Sequence, residues 1–334
     1  VDAGGALRVG PRSSGAIPGP ACYGRGGLEP AITDANVALG RIGAGVVLAG
    51  SVPLRHDLAE AALTGLGAQL GLDHTDTALG MIEIVEAHMA RAIRAVSVEQ
   101  GADPRDAALV AFGGAGGLHA TALARSLEMA SVVVPPFAGV FSAFGLLLSP
   151  PRHDVALSVL LRDGEKLAGM ATKVTRRAGK QYKAQTGADA ESIACILDMR
   201  YLGQAHETSV PYSLGMDWDD LTSRFHEAHK IMNGFARPQD PVEIVTIRAE
   251  AVGSPAMTWD ALPPFSSSGS AENGHRQVMT RRGSVDASVW RREGLSVGAE
   301  VVGPAVIEEG QATTYLDTGE RAVVTETGAL EVSW

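Results

Sequence analysis

Cysteine is nearly absent from this chain. Two thiols in 334 residues, Cys22 and Cys195, cannot build a disulfide framework or a cysteine metal cluster, which favours a reducing, cytoplasmic setting. Aromatic residues make up only 5%, too few for a base-stacking platform. Basic residues are outnumbered, and the net charge of −10 argues against nonspecific binding to nucleic acid or to an anionic membrane. No apolar run reaches the length of a membrane span, and no signal-peptide pattern opens the chain. Also missing are a G-x-S-x-G elbow, a Ser-x-x-Lys pair, a P-loop and the dinucleotide fingerprint G-x-G-x-x-G.

What remains is long enough for two domains, with 45% hydrophobic residues. Forty glycines concentrate in the first 150 residues and point to tight turns there. The start, VDAGGALRVG, reads as a strand end, a turn at Gly4–Gly5 and a second strand over Ala6–Val9. A first strand so short is expected of a chain that continues before Val1. Residues 11–30 hold four prolines among many glycines, the texture of a long, ordered, functional loop. Helices are predicted from Ala35 to Ile42 with Thr33 or Asp34 as cap, over 55–70, and after Thr75 or Asp76 as far as a stop at Gly101. Short apolar strands alternating with helices up to residue 150 predict an α/β layer with a largely parallel sheet. Residues 153–258 read as an α+β domain, 259–284 as a linker or exposed loop, and 285–334 as a small β-rich module.

One stretch carries most of the chemistry. In LVAFGGAGGLHATALARSL, an apolar strand runs into Gly113, Gly114, Gly116 and Gly117 and then into a helix. Such junctions offer backbone N–H groups to a phosphate or nucleotide, and they also serve merely to let a helix pack closely on a sheet. His119 falls in the first helical turn, where the helix dipole favours an uncharged ring able to hydrogen-bond a ligand. Asp34 and Asn36 could position water or a metal-bound phosphate, or simply cap a helix. Cys22 needs a base to act as a nucleophile, and His56 is the nearest in sequence. His226 and His229 share a helix face but lack the glutamate placement and third ligand of a zinc helix, so a solvated face is the better reading.

Several longer blocks together resemble the hydantoinase A/5-oxoprolinase family: GPRSSGAIPGPACYGRGG, TDANVALGRI, VAFGGAGGLHA, VVVPPFAGVFSAFGLLLSPPRHD, RYLGQAHETSVP, PVEIVTIRAEAVG and GPAVIEEGQATTYLDTG. The resemblance implies the second lobe of an actin-, Hsp70- and sugar-kinase-like nucleotide-binding core over residues 1–152, followed by an α+β, β-rich C-terminal region. It implies ATP with Mg²⁺, contacts to the nucleotide from Gly113, Gly114, Ala115 and Gly116, and candidate catalytic roles for Asp34 and His119; the metal ligands stay unassigned. It implies a phosphate loop in a missing N-terminal lobe, so that these 334 residues alone are expected to hydrolyse no ATP. A hydantoinase B-like subunit or fused domain, a small cyclic amide substrate and an oligomer are the expected partners. The implied activity is ATP-dependent hydrolysis of a cyclic amide. The alternatives are the nucleotide-binding subunit of an acetone- or acetophenone-type carboxylase, and a non-catalytic scaffold. Two positions depart from the family pattern: Gly117, where proline is common, and Ile17, where an acid is common.

Overall fold

Apolar spacings of three and four residues become helices where the sequence places them, with shifted ends. A computed structural model describes residues 1–43, 46–48, 52–261 and 265–334. Residues 1–9 make the expected turn but no paired strands, because Asp2 caps it through its own carboxylate, accepting the N–H groups of Gly4 and Ala6. Helix α1 spans Ile32–Ala38, α2 His56–Leu70 and α3 His74–Val96. A two-stranded ribbon, β1 (Val47–Leu48) and β2 (Val52–Pro53), lies between α1 and α2. Ala35, Leu39, Leu63, Ala78 and Ile82 knit the three helices into one apolar cluster. The caps differ from expectation: Ala31 holds the N-cap position of α1, and α3 is capped by the Asp73 carboxylate, which accepts the N–H of Asp76 at 2.7 Å.

Strand β3 (Leu109–Val110), helix α4 (Gly116–Ser126) and strand β4 (Val132–Val134) form a β-α-β crossover with parallel strands. Helix α5 (Phe141–Leu148) follows.

The chain then builds a separate unit, Gly145–Leu262. Its elements are β5 (Arg152–Leu161), α6 (Leu167–Thr186), β6 (Ser192–Tyr201), β7 (Thr208–Tyr212), α7 (Trp218–Asn233) and β8 (Val242–Val252). The sheet order is β5-β8-β6-β7, with every neighbour antiparallel. Helix α6 buries Leu167, Ala171, Val174, Ala178 and Tyr182, one stripe at helical period, against the sheet face that carries Leu197, Ile247 and Ala249. Asp217 caps α7 by accepting the N–H of Asp220 at 2.7 Å.

The remaining strands return to the first unit, which comprises Val1–Phe144 and Pro263–Trp334. They are β9 (Glu272–Thr280), β10 (Gly283–Arg291), β11 (Glu300–Val302), β12 (Ala305–Glu309), β13 (Ala312–Leu316), β14 (Arg321–Val324) and β15 (Leu330–Ser333). Two expectations are corrected here. Residues 272–280, inside the expected linker, are a strand paired with β10. The sheet containing β3 and β4 runs β11-β14-β15-β4-β3 and is antiparallel except at β3-β4, because the C-terminal strands complete it. A second sheet, β13-β12-β10-β9, backs α1 and α4. Gly40 has φ +78°, and a Cβ there would sit 2.2 Å from the Gln277 carbonyl oxygen.

Candidate nucleotide site

The parallel pair β3-β4 has its two C-terminal loops side by side, the position where α/β sheets bind ligands. The Gly113 N–H donates to the Ala138 carbonyl at 2.8 Å and joins the loops. The Thr313 N–H donates to the Gly114 carbonyl at 3.2 Å, tying the glycine turn to the β12-β13 hairpin. No side chain caps α4; in its first turn the N–H groups of Gly116 and Leu118 donate to the Gly113 and Ala115 carbonyls, at 3.3 and 3.1 Å.

Each glycine of the turn has its own reason. Gly113 has φ +84°, a backbone state that favours glycine. A Cβ on Gly114 would stand 3.0 Å from the Gln311 carbonyl oxygen. A Cβ on Gly117 would press to 2.5 Å from Thr314 Oγ1 and 2.9 Å from the Thr313 carbonyl, so the departure from proline at 117 matches a close approach of α4 to β13. Gly116 is different: a Cβ there meets only Ala111, at an ordinary 3.5 Å. The fold gives no steric reason for glycine at 116.

Gly116 lines a cavity of about 380 Å³ together with Ala115, Phe112, Ile32, Met89 and His119. Among the described residues that line it, His119 carries the one polar side chain. The ring is 4% exposed, and its Nδ1 lies 3.0 Å from Glu86 Oε1 on α3. Arg41 Nη1 stands 3.9 Å from the same oxygen, and its guanidinium lies over the Tyr315 ring at 4.9 Å. Burial pushes the Tyr315 hydroxyl well above its usual range. Glu86 and Arg41 were not singled out in the sequence. The signal was available for Glu86, which interrupts the apolar stripe of α3 between Ile82 and Met89.

Asp34 does not face this cavity with a free carboxylate. It is fully buried and accepts three backbone N–H groups, from Ala21 at 3.1 Å, Cys22 at 2.7 Å and Ala31 at 2.7 Å. It fastens the proline- and glycine-rich loop to the start of α1. Asn36 is buried on the same helix and donates to the Ile32 carbonyl at 3.1 Å. Burial and the neighbouring Asp34 push the Cys22 thiol far up, which removes it as a nucleophile. Ile17 is 82% exposed. A larger cavity of about 960 Å³ lies along the same loop and includes Arg8, Arg12, Tyr23 and Thr33.

His56, His74, His226 and His229 each have a protein neighbour. Glu60 stands 3.6 Å from His56 and 3.8 Å from His74 on an exposed surface. His229 is buried rather than solvated: its Nδ1 meets the Phe235 carbonyl at 2.9 Å and its Nε2 meets Gln204 at 3.1 Å. His226 Nδ1 lies 2.8 Å from the Tyr201 hydroxyl, and burial lowers its pKa. Among the described residues no group of three His, Cys, Asp or Glu side chains could hold a metal ion, and no helix is long and apolar enough to cross a membrane.

Residues 1–155 match a family model described as hydantoinase/oxoprolinase, and residues 164–332 match its C-terminal domain. Caprolactamase subunit alpha of Pseudomonas jessenii is 34% identical, over 100% of this chain and 50% of that protein. The crystal structure of the ATP-dependent caprolactamase from that organism superposes with a TM-score of 0.76 at 33% identity, covering 100% of this chain and 51% of the other. The 5-oxoprolinase 1 of Arabidopsis thaliana is 28% identical over 98% of this chain and 28% of its own length. The acetone carboxylase beta subunit of Xanthobacter autotrophicus is 28% identical over 93% of this chain and 47% of its own. The chain spans about half the length of the first of these.

Proposed function

The chain belongs to the hydantoinase/oxoprolinase family, and from that premise we propose that it is the nucleotide-binding, A-type part of an ATP-dependent enzyme that opens cyclic amides. The observation that carries this reading is Gly116. Its missing side chain serves no protein contact, and it opens onto a cavity of the size of small-ligand sites, lined by strand β3, the turn that follows it and helices α3 and α4.

ATP has a clear use in such a reaction. An amide is a poor electrophile. When its oxygen attacks the γ-phosphorus, ADP leaves and the carbonyl carbon becomes bonded to a phosphate leaving group. Water then adds to that carbon, the ring C–N bond breaks as the nitrogen takes up a proton and leaves, and the acyl phosphate so formed is hydrolysed by a second water to carboxylate and inorganic phosphate. Catalysis of the first step rests on positioning and charge neutralisation. In this chain Gly113, Gly114, Ala115 and Gly116 supply the backbone wall for the nucleoside, and His119 its polar contact. Asp34 acts as a positioning residue, since its carboxylate is committed to three N–H groups. Glu86 is committed to His119. Neither of these two carboxylates is free to hold Mg²⁺. A hydantoinase B-like partner and the phosphate loop of another lobe complete the machine.

The test is ATP hydrolysis by the full-length protein with its B-like partner, in the presence of caprolactam, 5-oxoproline, hydantoin, or acetone plus bicarbonate. Stimulation by a cyclic amide is expected. Stimulation only by the ketone pair would move the protein to the carboxylases, a reading that the acetone carboxylase similarity keeps in view. ATP binding absent throughout would leave a scaffold.

A further inference from the structure

The cavity beside Gly116 is apolar except at one point. Phe112, Ile32, Val85, Met89 and Leu123 give a surface suited to a flat, weakly polar ring, and His119 adds the one side chain that can exchange a hydrogen bond. What that side chain can do depends on which nitrogen carries its proton. An ionised carboxylate only accepts hydrogen bonds, so a histidine nitrogen 3.0 Å from Glu86 Oε1 must be the donor. A neutral imidazole has one N–H, and Glu86 claims it at Nδ1. Nε2 is left as a bare acceptor, and no hydrogen-bond partner for it occurs among the described residues. Two further features hold the arrangement. His119 is 4% exposed, so the ring has little room to turn. Arg41, 3.9 Å from the same carboxylate oxygen and stacked on Tyr315, keeps Glu86 at the ring.

We propose that Glu86 is a positioning residue that locks His119 with its proton on Nδ1, so that the bare Nε2 selects a nucleoside able to donate a hydrogen bond into the cavity. This rests on the nucleotide reading of the site and adds what neither the family match nor the motif assigns: the direction of the hydrogen bond, and the residue that sets it. The donor chemistry has two sources in ATP, the exocyclic amine of adenine and a ribose hydroxyl. Inosine triphosphate replaces the amine with an oxygen, an acceptor that would face another acceptor. The 2′-deoxy and 3′-deoxy analogues each lack one hydroxyl.

The experiment is ¹⁵N-detected NMR of the histidine rings, run on the chain as it stands at about pH 8.5, where a neutral ring shows its tautomer. The expected result is a proton on Nδ1 of His119 and none on Nε2, with Glu86→Leu, which removes the acceptor, giving a mixture of the two tautomers. A proton on Nε2 in the unaltered protein, or an unmoved tautomer in a folded Glu86→Leu variant, overturns the proposal and leaves the nucleotide reading standing. The wild-type tautomer is decisive even if the variant fails to fold.

Nucleotide is then titrated into the full-length protein. ATP is expected to shift the Nε2 resonance, and Glu86→Leu to weaken ATP about 3- to 10-fold, the size of one hydrogen bond. Loss of the shift with inosine triphosphate assigns the donor to the amine; loss with a deoxy analogue assigns it to that hydroxyl. ATP that binds without moving Nε2 overturns the selectivity claim. A protein that binds no nucleotide at all contradicts the function proposed above, while its tautomer result still stands or falls separately.

Discussion

The two units of the molecule handle polar side chains in opposite ways. In the unit formed by residues 145–262, the buried carboxylates Glu243 and Asp198 and the buried His229 end on protein partners. Glu243, 3% exposed, takes Arg200 at 2.9 Å and Arg162 at 3.4 Å. Asp198 takes Arg248 at 2.6 Å and the Ser209 hydroxyl at 2.8 Å. His229 is held at both nitrogens. The unit formed by residues 1–144 and 263–334 also pairs its groups, yet beside β3 and the turn after it there is a histidine nitrogen without a partner among the described residues, a glycine without a steric need and a helix start without a side-chain cap around one cavity. A network closed on itself stabilises. A network closed on one side only can bind.

The largest effects should come from breaking closed networks. Asp34→Ala leaves three backbone N–H groups without their acceptor and should cost roughly 3–5 kcal/mol, read by chemical denaturation. Phe225, fully buried in the 145–262 unit, gives a comparable loss of about 3–5 kcal/mol on Phe225→Ala. Hydrogen exchange should show that loss confined to that unit, with the amides around Gly116 unchanged; equal exposure of both would contradict the division drawn here.

A finer contrast separates two neighbouring glycines. Gly117→Ala forces a methyl against Thr314 and Thr313 and should destabilise by about 1–3 kcal/mol. Gly116→Ala meets ordinary contact, so it should leave stability unchanged or raise it by up to about 1 kcal/mol. Its effect should appear instead as weaker nucleotide binding. Melting temperatures that fall equally in both variants would show that 116 is structural too.

The smallest predicted effect is on pH. Burial lowers the pKa of His226 in the folded state, with His229 adding to it. The unfolded chain therefore takes up the proton first. The stability associated with a neutral His226 is present above about pH 6.5 and is lost as pH falls through the folded pKa. His226→Gln should flatten the acid side of the stability curve of the 145–262 unit, measured by denaturation between about pH 7.5 and 5.

The α+β make-up of residues 153–258 and the helices α2 and α3 depend on residues within a few turns of one another, so spacing alone revealed them, with shifted ends. The junction at 113–117 was legible as strand, glycine turn and helix for the same reason. Its partners were not. Glu86 lies 33 residues before His119, and the strand that explains Gly117 lies at residues 312–316. Asp34 looked like a cap because its donors at Ala21 and Cys22 stand 13 and 12 residues away in a loop without periodicity. The parallel sheet expected from β-α-β order became mostly antiparallel because strands near the C-terminus complete it. Local periodicity reports local structure, whereas this site is closed by residues far apart in sequence.

The central claim is that a nucleoside sits against Gly116. The most direct measurement is an ATP titration of the full-length protein, followed by backbone amide shifts and by calorimetry, with Gly116→Ala beside the unaltered protein. The account predicts shifts centred on Phe112–Ala120, and a Gly116→Ala variant that melts at the same temperature or higher yet binds ATP at least about tenfold more weakly, the equivalent of 1.4 kcal/mol. Unchanged affinity in that variant, or shifts that bypass this turn, would contradict it.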